Sequence, residues 1–164
     1  AAAASRFCGC APAAIIRCIE NFRGIAHRIE YAGQKKGVAY YDDSKGTNVG
    51  AVQVAVDSFD KPVVLLMGGR DKDIDFSILA PLLKKKVKEL ILFGEARDKI
   101  YGAIGDVVST HRAETLKEAV QTAYSHAAPG DIVLLSPGCA SFDEFKDYKD
   151  RGRFFKETVG NLGE

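Results

Sequence analysis

A short polar stretch holds the residues whose types and spacing best suit the binding of a charged ligand. Residues 43–48, Asp-Ser-Lys-Gly-Thr-Asn, follow the apolar and aromatic run 38–41 and lead into the small and apolar residues 49–56. This order predicts a strand, a tight turn and a helix, whose first backbone N–H groups attract anions. The stretch could therefore hold a small anion, although Thr47 or Asn48 as a helix cap and acidic turn residues would explain the same pattern.

Two later stretches have the same arrangement. The apolar runs 62–67 and 132–136 are typical of strands buried on both faces, and each ends in a glycine-containing loop, at 68–72 and 137–141. In an open parallel sheet, ligands bind outside the carboxyl ends of the strands, so strand-to-helix loops share one edge. We therefore expect the three loops to lie close together.

The side chains of these loops indicate which ligand they would bind. Lys45 and Lys72 supply positive charge, and Ser141 supplies a hydroxyl beside free backbone amides. This combination predicts a site for a small dianion. The alternative for Ser141 is a capping box with Glu144 at the start of the closing helix. Cys139 has no histidine in a neighbouring loop to act as its base, which favours a packed free thiol over a nucleophile.

Strands and helices alternate along the chain. The pattern predicts strands at 25–31, 38–41, 62–67, 89–94, 106–109 and 132–136, and helices at 1–7, 12–22, 49–56, 76–87, 96–104, 115–127 and 142–162, the last with a possible break near 151–152. Glycines around 33–37 mark a hairpin between the first two strands. The predicted fold is α/β and Rossmann-like, a mainly parallel sheet with helices on both faces and one antiparallel strand from the N-terminal hairpin.

Composition excludes several kinds of partner. The 164 residues include 23 basic and 22 acidic side chains, a net charge of +1, so no overall field attracts nucleic acid or an acidic membrane. No apolar run approaches the roughly 20 residues of a membrane span. The four cysteines lack paired C-x-x-C spacing and the histidines at 27, 111 and 126 are scattered, which predicts no metal site. We expect a soluble, cytoplasmic protein with reduced thiols.

Nucleotide-binding loops are missing from the sequence. There is no G-x-G-x-x-G and no G-x-x-x-x-G-K-[ST], so nucleotide chemistry would need a further domain.

Several motifs together resemble one family. They are residues 24–30 (Gly-Ile-Ala-His-Arg-Ile-Glu), 43–48, 68–72, 135–145 (Leu-Ser-Pro-Gly-Cys-Ala-Ser-Phe-Asp-Glu-Phe) and 151–152. They resemble the carboxy-terminal domain of the Mur ligases, and within that family the members that add D-glutamate. By this resemblance, residues 1–25 are the C-terminal helices of a truncated central ATPase domain and residues 26–164 are the Mur ligase C-terminal domain.

The resemblance implies an ATP-dependent amide-forming ligase of cytoplasmic peptidoglycan synthesis. The whole enzyme would join D-glutamate to UDP-N-acetylmuramoyl-L-alanine, with ATP and Mg²⁺ bound mainly by its central domain and the UDP group by its N-terminal domain. The 164 residues alone would be inactive. The alternatives are a sibling ligase that adds another amino acid, or a stand-alone Rossmann-like module that binds a dicarboxylic amino acid or a nucleotide.

The resemblance also implies residue roles. Three side chains would contact the nucleotide: Arg28 the phosphates, and Asp43 and Lys45 the ribose.

Five residues would bind D-glutamate. Thr47 and Lys72 would hold its α-carboxylate, and Ser141 with the backbone of Phe142 and Tyr148 would hold its side-chain carboxylate.

Overall fold

Strands and helices alternate as predicted in residues 1–22 and 24–163, which the computed structural model describes. In chain order they are α1 (Ala2–Phe7), α2 (Pro12–Asn21), β1 (Glu30–Lys35), β2 (Val38–Asp42), α3 (Val49–Asp57), β3 (Val63–Gly68), a 3-10 turn (Phe76–Leu79), α4 (Ala80–Lys86), β4 (Val87–Phe93), α5 (Arg97–Ile104), β5 (Ser109–Arg112), α6 (Leu116–His126), β6 (Ile132–Gly138) and α7 (Tyr148–Gly160).

The strands form one sheet in the order β1-β2-β6-β3-β4-β5. Only β1 is antiparallel to its neighbour, and the other adjacent pairs within the described residues are parallel. The predicted α/β class, with one antiparallel strand from the hairpin, is confirmed. Because β6 returns to the middle of the sheet, β2, β6 and β3 are neighbours, and the loops that follow them begin side by side.

The hairpin has a tighter turn and a shorter first strand than predicted. Lys36 and Gly37 have φ values of 48° and 76°, the left-handed conformation that both central residues of a two-residue type I′ turn require. The first strand begins at Glu30 and not at residue 25, because His27 and Ile29 also have positive φ values, 63° and 47°, and interrupt the extended chain.

Helices cover both faces of the sheet, as predicted. Residues of α3, α4 and α5 pack on one face, where they enclose the side chains of Leu65 and Leu90. Residues of α6 and α7 pack on the other, against Leu66 and Ile91. Strands β3 and β6 are buried along their whole length, which explains their continuous apolar sequence.

Two predicted elements are displaced. The strand expected at 106–109 lies at Ser109–Arg112, because Val107 and Val108 pack on the core from the turn before it. The helix expected at 76–87 begins as a 3-10 turn and ends at Lys86, and Val87 already belongs to β4.

The closing helix begins six residues later than predicted. Asp147 caps it, with Oδ1 accepting a hydrogen bond from the Asp150 backbone N–H at 2.8 Å. The helix then continues through 151–152 without the predicted break. The capping box between Ser141 and Glu144 was wrong, because Glu144 Oε2 accepts instead from the Leu116 backbone N–H at 3.1 Å.

The first two helices stand apart from this core. Neither α1 nor α2 has a buried residue, and the apolar side chains of Ile16, Ile19 and the adjoining Phe22 are exposed. No helix within residues 1–22 and 24–163 has both the length and the apolar character to cross a membrane.

Candidate functional site

The three loops that the sequence singled out meet at the carboxyl ends of β2, β6 and β3. The Gly138 backbone N–H donates to the Gly46 carbonyl at 2.9 Å, which joins the third loop to the first. Arg70 and Ala140 exchange two backbone hydrogen bonds, of 2.9 and 3.0 Å, which join the second loop to the third. The predicted convergence is confirmed, and backbone contacts hold it.

A buried arginine from α7 fastens two of these loops. The Arg151 guanidinium donates to Ser44 Oγ at 3.0 Å, the Ser44 carbonyl at 2.9 Å, the Cys139 carbonyl at 3.0 Å and the Ala140 carbonyl at 3.1 Å. Burial lowers the pKa of Arg151 to about 10, which leaves the group protonated at neutral pH. The Ser44 hydroxyl in turn donates to the Tyr148 carbonyl at 2.8 Å. One cation therefore sets the spacing of the first and third loops.

This role of Arg151 was not predicted from the sequence. Residues 151–152 served there only as part of a motif and as a place where the helix could break. A signal was present, because Arg151 shares a helical stripe with the buried Phe155 and Val159, four and eight residues later. An arginine on the buried stripe of a helix needs internal partners.

A buried histidine and carboxylate lie beside Arg151. His27 Nδ1 is 2.7 Å from Asp42 Oδ2, and the His27 carbonyl accepts from the Lys45 backbone N–H at 3.1 Å. The Cβ that any other residue would have at position 152 would lie 2.5 Å from Asp42 Oδ2, and closer still to His27 Nδ1. Gly152 therefore allows α7 to approach the His27–Asp42 pair. This pair holds the backbone in place just before Arg28.

The residues predicted to contact the nucleotide lie at the first loop. Arg28 is exposed, and its charge acts on Asp43. Lys45 is half-buried, with Nζ 5.4 Å from the centre of the Tyr148 ring. Asp43 is only 4% exposed, and its Oδ2 accepts from Ser136 Oγ at 2.7 Å. Burial raises the pKa of Asp43 to about 6. Arg28 and Lys45 are accessible to a ligand, whereas the carboxylate of Asp43 already has a hydrogen-bond partner in Ser136.

The residues predicted to bind D-glutamate lie on all three loops and at the start of α7. Thr47 and Tyr148 are half-buried, Lys72 is exposed, and Phe142 is 60% exposed. Ser141 is 3% exposed, and its hydroxyl makes no hydrogen bond to another residue of the described part of the chain. Their roles stay predictions, although a hydroxyl without an internal partner suits a ligand contact.

The Cys139 thiol is a packed core group, as predicted. It is fully buried and unpaired, and burial raises its pKa to about 12. A thiol that stays protonated at neutral pH is a poor nucleophile.

A charged cleft adjoins the three loops on the same edge of the sheet. It encloses about 410 Å³ between the second loop and the loop after β4, and Arg70, Glu95 and Asp143 are among its lining residues. Arg70 Nε lies 3.0 Å from Glu95 Oε2 across it. The cleft lies beside the predicted residues and not around them.

The expectation of scattered histidines was wrong. His111 and His126 lie together beside Glu89, with ring nitrogens 3.2 and 3.1 Å from Glu89 Oε2. Strand β5 and the end of α6 flank the start of β4, a proximity that spacing along the sequence does not reveal.

Known proteins share this sequence and fold. A ligase of Syntrophus aciditrophicus (strain SB), UDP-N-acetylmuramoylalanine--D-glutamate ligase, is 60% identical over 95% of this chain, which spans 34% of that relative. UDP-N-acetylmuramate-alanine ligase MurC from Thermotoga maritima has a similar structure, with a TM-score of 0.61 and 16% identity over 96% of this chain and 35% of the other. Bifunctional folylpolyglutamate synthase/dihydrofolate synthase from Yersinia pestis, solved with AMPPNP and a Mn ion, gives a TM-score of 0.64 and 14% identity over 91% of this chain and 35% of the other.

These proteins are about three times as long as the present chain, so the comparison concerns one part of each. The family described as Mur ligase, glutamate ligase domain, matches residues 27–139, which is more than half of the chain and includes the first two loops and the start of the third. The chain therefore belongs to the Mur ligase family and carries its glutamate ligase domain.

Proposed function

We propose that this chain is the C-terminal, amino-acid-binding domain of an ATP-dependent ligase that joins D-glutamate to UDP-N-acetylmuramoyl-L-alanine in cytoplasmic peptidoglycan synthesis. The observation that carries the proposal is the convergence of three loops, with two lysines and the hydroxyl of Ser141, on one edge of the sheet. The 60% identical relative named for this reaction supports the choice of amino acid.

The proposed reaction forms an amide in two steps. The terminal phosphoryl group of ATP passes to the carboxylate of UDP-N-acetylmuramoyl-L-alanine, giving an acyl phosphate and ADP. The amine of D-glutamate then attacks the acyl carbon, and phosphate leaves with the bonding electrons while the amine loses its proton. In this scheme the domain holds and orients D-glutamate, a contribution that acts through proximity.

D-glutamate has two carboxylates, and two groups of residues suit them. Lys72, with Thr47, would bind the α-carboxylate through a charge-assisted hydrogen bond. Ser141 and the backbone N–H groups of Phe142 and Tyr148 would bind the side-chain carboxylate. Each such contact contributes about 1.5–3 kcal/mol, so the loss of one is measurable.

Nucleotide binding would be shared with another domain. Arg28 and Lys45 fit the phosphates and ribose of ATP because both are accessible cations. Three carboxylates of the loops already have partners and so do not suit Mg²⁺: Asp43 accepts from Ser136, Asp71 pairs with Lys99, and Asp143 accepts from the Glu95 backbone N–H. Magnesium, which prefers several water and carboxylate ligands, would then be bound by the central domain. The Mn ion and AMPPNP in the Yersinia pestis synthase support a metal–nucleotide substrate.

Residues 1–25 would belong to that central domain. The exposed apolar side chains of α1, of α2 and of the residue that follows α2, such as Phe7, Ile19 and Phe22, would pack against the rest of it. Residues 26–164 would then form the C-terminal domain.

The test is Lys72→Ala in a full-length ligase that carries this domain. We expect KM for D-glutamate to rise about tenfold or more with little change in KM for ATP, and kcat to fall because the amine is oriented less well. Lys84→Ala, at an exposed position on α4, is the matched control and should leave all constants unchanged. An unchanged KM for D-glutamate would exclude the assigned role of Lys72. Amide formation with another amino acid and none with D-glutamate would favour a sibling ligase.

A further inference from the structure

Three side chains of the kind that bind metals meet away from the candidate functional site. Glu89 lies near the start of β4, His111 in β5, and His126 at the last residue of α6. Their ligand atoms all lie within 4.8 Å of one another. The functional loops follow the carboxyl ends of the strands, whereas Glu89 lies toward the opposite end of the sheet.

The spacing of these atoms suits a small tetrahedral ion. His111 Nε2 is 3.2 Å and His126 Nδ1 is 3.1 Å from Glu89 Oε2. Zinc binds imidazole nitrogen and carboxylate oxygen at about 2.0–2.2 Å, so neighbouring ligands of a tetrahedral ion lie about 3.3 Å apart. The two rings are inclined by 58°, with centres 4.3 Å apart, so their nitrogens approach the carboxylate from different directions.

One oxygen of the Glu89 carboxylate is buried without a hydrogen-bond partner among residues 1–22 and 24–163. Glu89 Oε2 is shielded from solvent, and no residue of the described part of the chain makes a hydrogen bond to it. The nitrogens of His111 and His126 lie within hydrogen-bond distance of this oxygen, but the angles at both contacts do not suit a hydrogen bond. A shielded carboxylate oxygen without a partner is unfavourable, and a cation bound between the three side chains would satisfy it.

A second group of imidazole and carboxylate side chains already has its partners within the protein. His27, Glu30 and Asp42 also bring their ligand atoms within 4.8 Å. There, His27 Nδ1 already bonds Asp42 at 2.7 Å, and Lys156 Nζ lies 2.8 Å from Glu30 and 3.9 Å from Asp42. The lysine charge would repel a metal ion, so the comparison singles out the first group.

We propose that Glu89, His111 and His126 form a binding site for a transition-metal ion of the zinc class. One carboxylate and two imidazoles suit zinc, with water in the remaining position. The ion would join β4, the four-residue edge strand β5 and the end of α6. Its effect would be structural, since the site is remote from the three functional loops.

Zinc binding to the 164-residue chain at neutral pH tests the proposal. Cys8, Cys10 and Cys18 are exposed thiols that could bind zinc themselves, so every measurement uses a background with all three changed to serine. We expect calorimetry to show one Zn²⁺ per chain and the melting temperature to rise with zinc. Cobalt should give visible bands without a thiolate charge-transfer band, as expected for nitrogen and oxygen ligands.

His111→Gln and His126→Gln should each weaken zinc binding at least about tenfold and remove the thermal shift. Gln121→Ala, at an exposed position of α6, is the matched control and should bind zinc like its parent. Circular dichroism will verify folding, and Glu89→Gln replaces any histidine variant that fails to fold. No zinc-dependent heat or thermal shift in the parent would overturn the proposal, as would unchanged binding in the variants.

Discussion

Arg151 Nη2 lies 2.9 Å from the carbonyl oxygen of Ser44 and so joins α7 to the loop after β2. The same nitrogen lies 3.0 Å from the carbonyl oxygen of Cys139, in the loop after β6. The guanidinium thus acts as a bracket between two loops whose side chains we assign to the substrate. Its removal should disturb the site even though it need not touch a ligand.

We expect Arg151→Met to lower the free energy of unfolding by about 3 kcal/mol or more, because four hydrogen bonds from a buried cation are lost and several carbonyls lose a partner. Urea unfolding of the 164-residue chain measures the change. Arg153→Met is the matched control: Arg153 is exposed, pairs with Asp150 at 3.0 Å, and should cost no more than about 0.5 kcal/mol. Equal and small losses of unfolding free energy in both variants would contradict the proposal that Arg151 holds the two loops together.

Gly152→Ala should destabilise the domain although alanine favours helices. Alanine gains about 1 kcal/mol of helix propensity over glycine. At position 152, however, its methyl group would lie 2.5 Å from Asp42 Oδ2 and would displace the His27–Asp42 pair, so we expect a net loss of about 2 kcal/mol or more. Gly160→Ala, at the end of the same helix, meets no atom within 4 Å and should be neutral or stabilising. Thermal unfolding compares the two variants, and an equal response would refute the steric argument.

Local patterns made most of the fold predictable. The runs that became β3 and β6 are apolar throughout because both faces are covered, and this signal does not depend on distant residues. Local patterns gave wrong predictions where the same residues fitted two different local structures. Val107 and Val108 look like a strand but pack from a turn, and the spacing of Ser141 and Glu144 looks like a cap although Asp147 caps α7.

The candidate site was predictable at the level of loops and less so at the level of atoms. The parallel-sheet rule placed Lys45, Lys72 and Ser141 on one edge. It could not show that Asp43 is buried against Ser136, because that contact joins residues 93 positions apart. The contacts of Arg151 are mostly to backbone carbonyls, which every residue has, so the sequence does not identify its partners.

Asp43 should make the stability of the domain depend on pH. Burial raises its pKa from 3.8 to about 6, so the folded protein retains a proton that the unfolded chain has released between those values. The contribution of Asp43 to the free energy of unfolding therefore falls as the pH rises from about 4 to about 6.

The Asp43→Asn side chain cannot ionise, so the variant should lack this decrease in the free energy of unfolding. Relative to the unmodified chain, the variant should gain about 1 kcal/mol or more between pH 4 and pH 7, measured by urea unfolding at several pH values. Other titrating groups are common to both proteins and cancel in the difference. Asp60→Asn, at an exposed position, is the control and should follow the unmodified chain. Parallel curves for Asp43→Asn and the unmodified chain would show that Asp43 ionises as readily when folded as when unfolded.

Variants of Ser141 and Asp147 distinguish a residue that contacts the substrate from one that caps a helix. Because Asp147 Oδ1 accepts from the Asp150 N–H at 2.8 Å, Asp147→Ala should cost about 1 kcal/mol of stability. The Ser141 hydroxyl caps no helix and has no hydrogen-bond partner among the described residues, so Ser141→Ala should change stability by less than about 0.5 kcal/mol.

For catalysis we expect the opposite order: Ser141→Ala should have the larger effect and Asp147→Ala the smaller one. In a full-length ligase, Ser141→Ala should raise KM for D-glutamate about 10- to 100-fold, because a hydrogen bond to a carboxylate is lost, and should leave KM for ATP unchanged. Selectivity against amino acids without a side-chain carboxylate should also weaken. Asp147→Ala, assayed well below its melting temperature, should keep both constants close to those of the unmodified enzyme. If Ser141→Ala showed unmodified kinetics, the side-chain carboxylate of D-glutamate would have to be bound elsewhere, and Thr47 with Lys72 would be the residues around which to look for it.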